Sequence, residues 1–112
     1  MEIRATAKDT GLSARKVRPL ISMVQGKKVD EALTMLKFTR SPLARVVAKV
    51  VKSAAANAEN NYQMDPSDLK IVHIYANEAR GLRRFRSVAR GRAMPIAKRS
   101  SHITVIVAEQ EV

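Results

Sequence analysis

The chain has 112 residues, no Cys, and 21 Lys and Arg against 10 Asp and Glu, a formal charge of +11. That length holds one domain, and the missing Cys excludes a disulfide framework, a thiolate metal site and a Cys nucleophile. Hydrophobic residues make up 46% of it, enough to argue against wholesale disorder, and with no Trp, two Phe and two Tyr the core must be aliphatic. Met1-Glu2-Ile3-Arg4 opens with charges and has no apolar run behind it, unlike a secretory signal. Stretches such as Ile103 to Ala108 fall far short of the ~20 residues a membrane span needs. The expectation is a small, basic, soluble intracellular protein that uses no membrane.

Taken in order, residues 2–8 alternate, with Ile3, Ala5 and Ala7 on one face and Arg4, Thr6 and Lys8 on the other, which predicts an edge strand. Asp9-Thr10-Gly11 is a turn, and Ser13 is placed to cap a helix carrying Ala14, Val17, Ile21 and Val24 at helical spacing, with Gly26 as its stop. Pro19 lies inside that helix, which predicts either a kink or a regular part that begins near it. Val29-Asp30-Glu31 reads as the entry to a short second helix, capped by Asp30, with Leu33 and Leu36 inward. Ser41-Pro42 opens a long helix over roughly 42–60. Its apolar stripe runs Leu43, Val46, Val47, Val50, Val51, Ala54, Ala55 and Ala58, with Arg45, Lys49 and Lys52 off it and Asn57, Asn60 and Asn61 at a fraying end. After a turn at Asp65-Pro66-Ser67-Asp68, Leu69 to Asn77 and His102 to Val107 read as strands.

Between those two strands lies the strongest signal in the chain. Residues 80–99 contain Arg80, Arg83, Arg84, Arg86, Arg90, Arg92, Lys98 and Arg99 and no acid, so they carry +8. The remaining 92 residues hold 13 bases and 10 acids. An all-positive block repels itself and needs an external counter-charge, and Arg suits phosphate. If the flanking strands pair as a hairpin with its apex near Ser87 to Gly91, each arm of about 17 residues spans roughly 55 Å at ~3.3 Å per residue. A compact body of this size has a radius of gyration near ~13 Å. The hairpin must therefore project. The fold class expected is α+β: three helices packed on a three-stranded antiparallel sheet, with a long basic β-hairpin. The body comprises 1–79 and 100–112, and the hairpin 80–99.

No constellation supports catalysis, a cofactor or a small-molecule substrate. His73 and His102 sit singly in strands, Asp65 and Asp68 lie in a turn, and there is no Gly-rich phosphate loop or nucleophile elbow. Nucleic-acid binding remains, and its type must be chosen. The element order also fits a winged-helix DNA reader, but the third helix is Ala- and Val-rich where a recognition helix needs Asn, Gln and Arg, and the hairpin is too long for a wing. A prong bearing Arg suits folded RNA, met through phosphate and shape. A membrane-surface or acidic-protein adaptor would want an amphipathic Lys-rich helix that is missing.

Ser13-Ala14-Arg15-Lys16-Val17-Arg18, Gly26-Lys27-Lys28, the run Ser53 to Asn61, Arg90-Gly91-Arg92-Ala93 and Lys98 to Val105 together resemble the bacterial large-subunit ribosomal protein twenty-two family, in order along essentially the whole chain. The resemblance implies a body near the polypeptide exit of the large subunit and a hairpin running through 23S ribosomal RNA to line the nascent-chain tunnel. It also implies early assembly, bridging of several RNA domains, and neighbouring ribosomal proteins and the nascent polypeptide as partners. Changes near the family's hairpin tip alter macrolide sensitivity. Two departures stand out: Val88 replaces a basic residue, and Pro19 an ordinary helix former.

The candidate RNA-binding residues are Arg15, Lys16, Arg18, Lys27 and Lys28 on the body, Arg80, Arg83, Arg84, Arg86, Arg90, Arg92, Lys98 and Arg99 on the prong, and His102. The resemblance maps the tunnel-lining tip onto Leu82, Arg83, Arg84, Phe85, Arg86, Ser87, Val88, Ala89, Arg90, Gly91, Arg92 and Ala93. Leu82, Phe85, Met94 and Ile96 are expected to pack between the arms in preference to stacking on bases.

Overall fold

A computed structural model describes residues 2–8, 10–87, 91 and 93–109, with side chains described outside 82–87 and 93–97. Three helices, α1 (Ala14–Val24), α2 (Val29–Phe38) and α3 (Pro42–Tyr62), lie between strand β1 (Glu2–Ala7) and the pair β2 (Leu69–Ser87) and β3 (Ala93–Glu109). The sheet order is β1-β3-β2, antiparallel throughout. β1 is an edge, as its alternation predicts, with Ile3 and Ala5 buried and Glu2, Arg4 and Thr6 exposed.

β3 is central, which accounts for its continuous apolar and β-branched run. Ser101, Ile103, Val105 and Val107 are fully buried against the helices, while Thr104 and Ile106 are covered on the other face between flanking strands. Burying each such aliphatic side chain favours folding by about 1.5–3 kcal/mol.

The helices differ from expectation at their ends. α1 runs unbroken through Pro19. Pro19 removes the donor that would meet the Arg15 carbonyl, but both residues are exposed, so water can satisfy that carbonyl. Ser13 holds the N-cap position without a side-chain cap bond. α2 starts one residue before the expected cap: Lys28 is the N-cap, and Asp30 sits with Glu31 in the first turn, where carboxylates meet the helix dipole. Ser41 caps α3 by accepting from the Leu43 N–H at 3.3 Å. Asn60 and Asn61, expected at a fraying end, are helical. The helix continues to Tyr62 and closes at Gln63 in a left-handed conformation (φ 54°), whose N–H donates to Glu59 O at 3.1 Å. Ala54 and Ala58 are fully buried, and their small side chains let α3 lie close to the sheet.

β2 and β3 extend well past the predicted strands and pair as one long hairpin from Leu69↔Glu109 to Ser87↔Ala93. The molecule measures 66 × 26 × 17 Å, with a radius of gyration of 17.1 Å against the ~13 Å of a compact chain of this length. The hairpin projects.

Candidate nucleic-acid interface

The ladder between β2 and β3 slips twice, near Val72 and near Arg80–Gly81. At the second slip Ala79 faces Ser100 and Leu82 faces Lys98, so Arg80 and Gly81 together oppose Arg99. Such a bulge bends its strand and sharpens the local twist. It falls where the ladder leaves the body.

Beside it, a polar latch holds the start of α1 to β3. Thr10 donates its backbone N–H and its hydroxyl to the Ser101 carbonyl, at 3.0 and 3.1 Å, and its Oγ1 lies 3.1 Å from Ser101 Oγ. The Gly11 N–H donates to Ser100 Oγ at 3.0 Å. Gly11 has φ +76°, a left-handed conformation that glycine adopts without a steric penalty. Ser101 is fully buried, and these bonds satisfy its polar groups.

The latch brings together charges that lie about eighty residues apart in sequence. Arg15 and Lys16, in the first turn of α1, share a 490 Å³ cavity with Lys98 and Arg99 of β3, completed by Gly11 and Ser13. Four cations line it, and no acid is among its described lining residues. α1 has no acid in its first turn and no side-chain cap, so the positive end of the helix adds to the same field. A neighbouring cavity of 210 Å³ also reaches Ser13 and Arg99, and there Glu78 contributes the one acid among the described lining residues. Chemically, the larger cavity suits a phosphate group or the bend of a polyanion backbone.

The other predicted residues are spread out. Arg80 is exposed at the bulge and Arg18 is exposed on α1 outside the four-cation cavity. Lys27 and Lys28 sit where the α1–α2 connection joins the start of β2, fixed by Gly26 N–H to Ile71 O at 3.1 Å and Ile71 N–H to Lys27 O at 2.9 Å. Lys27 there shares a cavity with Asp30 and Glu31, so its charge is locally offset. His102 is half-buried opposite Asn77, on the sheet face turned away from Ser101 and Ile103. Along the prong the backbone pairs Leu82↔Lys98, Arg83↔Ala97, Arg84↔Ile96, Phe85↔Pro95 and Arg86↔Met94. The side chains of 82–87 and 93–97 lie outside the described set, as do Val88, Ala89, Arg90 and Arg92. Gly91 has φ +69°. Among the described residues no cluster could hold a metal ion, and no helix is long and apolar enough to cross a membrane.

Residues 5–108 match the family described as ribosomal protein L22p/L17e. The chain belongs to the ribosomal protein L22p/L17e family. It is 67% identical over 109 residues to the large ribosomal subunit protein uL22 of Dehalococcoides mccartyi, covering 97% of this chain and all of that one. It is 51% identical to the uL22 of Clostridioides difficile over 111 residues, 99% of this chain and all of the relative. The uL22 of Pediococcus pentosaceus is 50% identical over 96% of this chain and 92% of its own length.

In this L22p/L17e member, the contributors that sequence reading passes over are Thr10, Gly11, Ser100 and Ser101. None is charged, and their role rests on pairing across a long sequence separation that no local pattern reports.

Proposed function

We propose that the chain is an RNA-binding structural protein of the large ribosomal subunit, non-enzymatic, and placed with the ribosome in the cytoplasm. The observation that carries this reading is the meeting of Arg15 and Lys16 with Lys98 and Arg99 in one cavity at the base of a projecting cationic hairpin. A polyanion backbone seated there neutralises four like charges at once and fixes the direction in which the prong leaves the body. The names of the relatives place them in the large subunit, and the ligand that suits this charge there is ribosomal RNA.

The finer reading is that the chain binds 23S ribosomal RNA and bridges several of its domains during assembly. The hairpin then lines the nascent-polypeptide tunnel, with Leu82 to Ala93 at its tip beside the nascent chain and within reach of macrolide sites. Neighbouring ribosomal proteins complete its contacts.

Sedimentation of the tagged protein from a lysate, before and after a high-salt wash, tests this. Co-migration with the large subunit that survives the wash is expected. Release into light fractions, with duplex DNA competing as well as RNA, would overturn it in favour of a winged-helix-like DNA binder.

A further inference from the structure

A second cationic groove lies between α2 and α3. It has a volume of 460 Å³ and is lined by Leu33 and Lys37 from α2 and Arg45, Ala48, Lys49 and Lys52 from α3. Leu33 and Ala48 are half-buried and form the floor, while Lys49, Lys52, Arg45 and Lys37 are exposed with no acid among the lining residues. Arg45 and Lys49 are one helical turn apart and Lys49 and Lys52 three residues apart, spacings at which like charges destabilise a helix. The one acid in α3, Glu59, lies two turns beyond Lys52. These charges therefore lack a local counterpart within their own helix. From Arg45 to Lys52 they rise over about 10 Å, a span that meets about three phosphates of one strand at the roughly 3.4 Å per charge along each strand of a DNA duplex.

The groove shares no lining residue with the hairpin-base cavity. We propose that it is a second RNA-backbone site, so that the body grips one RNA segment at the hairpin base and another across α2 and α3. This rests on the RNA reading above and extends it to residues of α2 and α3. Four cations around a small two-residue floor favour a phosphate backbone over an acidic amphipathic peptide, which would need a longer apolar trough.

The test is amide-resolved NMR of the full chain titrated with a short RNA duplex and, separately, with a Glu/Leu amphipathic peptide. RNA is expected to shift Leu33, Lys37, Arg45, Ala48, Lys49 and Lys52. These shifts should persist when Arg15, Lys16, Lys98 and Arg99 are all changed to Gln. Changing Lys37, Arg45, Lys49 and Lys52 to Gln, with helicity checked by circular dichroism, should flatten the dependence of log K on log salt by roughly 3, at ~0.7–0.9 per lost phosphate contact. RNA shifts confined to the hairpin base with an unchanged slope would overturn the groove and leave the RNA reading standing. Absence of RNA binding anywhere would overturn both, and groove shifts with the peptide alone would assign the groove to a protein.

Discussion

A Cβ built on Gly81 would stand 2.6 Å from the carbonyl oxygen of Lys98 on the facing strand. The obstacle is backbone, so a flexible side chain cannot relieve it. Two residues of β2 are crowded against one of β3 at this bulge, and the hydrogen of glycine leaves room for the approach. Gly81→Ala is expected to cost about 1–3 kcal/mol locally. Hydrogen exchange at residues 98–100 should speed up and RNA affinity should fall, while the urea midpoint of the body moves little. Gly26→Ala makes the comparison: nothing lies within 4 Å of its added Cβ, and only the strain of φ +78° remains, about 1–2 kcal/mol.

Thr10→Val tests the latch. Valine keeps the shape of threonine but removes the hydroxyl that meets Ser101, leaving the buried Ser101 Oγ without that partner. The expected loss is about 1–3 kcal/mol of unfolding free energy, read from a lowered urea midpoint at unchanged slope. A fall in RNA affinity should accompany it as Arg15 and Lys16 loosen from Lys98 and Arg99. Unchanged stability would mean that the Thr10 N–H bond to the Ser101 carbonyl and the Gly11 N–H bond to Ser100 Oγ suffice to hold the loop.

Two serines occupy N-cap positions, and only one caps. Ser41→Ala should lower stability by about 1 kcal/mol, the usual worth of such a bond. Ser13→Ala should change it by no more than a few tenths, since the Ser13 side chain makes no cap bond. Thermal melts of the two variants separate the cases.

The prong and its base should contribute comparably to counterion release. Changing Arg83, Arg84, Arg90 and Arg92 to Gln should flatten the salt dependence of RNA binding by roughly 3, and the same changes at Arg15, Lys16, Lys98 and Arg99 by a similar amount. A slope unmoved by either set would place those side chains in solvent within the complex.

Asp65 supplies a pH dependence with a definite sign. Its carboxylate accepts from the Ser67 N–H at 3.0 Å and the Ser67 hydroxyl at 2.8 Å. These bonds hold its pKa below the ordinary 3.8. A carboxyl depressed on folding stabilises the turn fully above its unfolded value and loses that contribution as pH falls through the folded one. The Ser67 amide resonance should therefore be constant near neutrality and shift only in acid. Asp65→Asn should abolish that acid shift.

Much of this protein was legible locally. The period-3.6 stripe of α3, the alternation of β1 and the β-branched run of β3 specify their elements because each buries one or both faces in a single core. The length of the basic block set against the size of the body required projection. Boundaries were harder: Asn60 and Asn61 favour helix ends in isolation, yet α3 runs past them and closes at Gln63. The expected cap at Asp30 yielded to Lys28, which the pairing of the 26–28 connection with β2 holds at the entry to α2.

The helices, the strands, an aliphatic core and a cationic prong follow from local sequence, since periodicity and charge are properties of neighbouring residues. Which charges act together depends on how the chain packs in three dimensions. Thr10 reaching Ser101 and Gly81 admitting Lys98 are contacts across long stretches of chain, and they place Arg15 and Lys16 beside Lys98 and Arg99. Electrostatic fields sum over distance in space, whereas a sequence pattern records only distance along the chain.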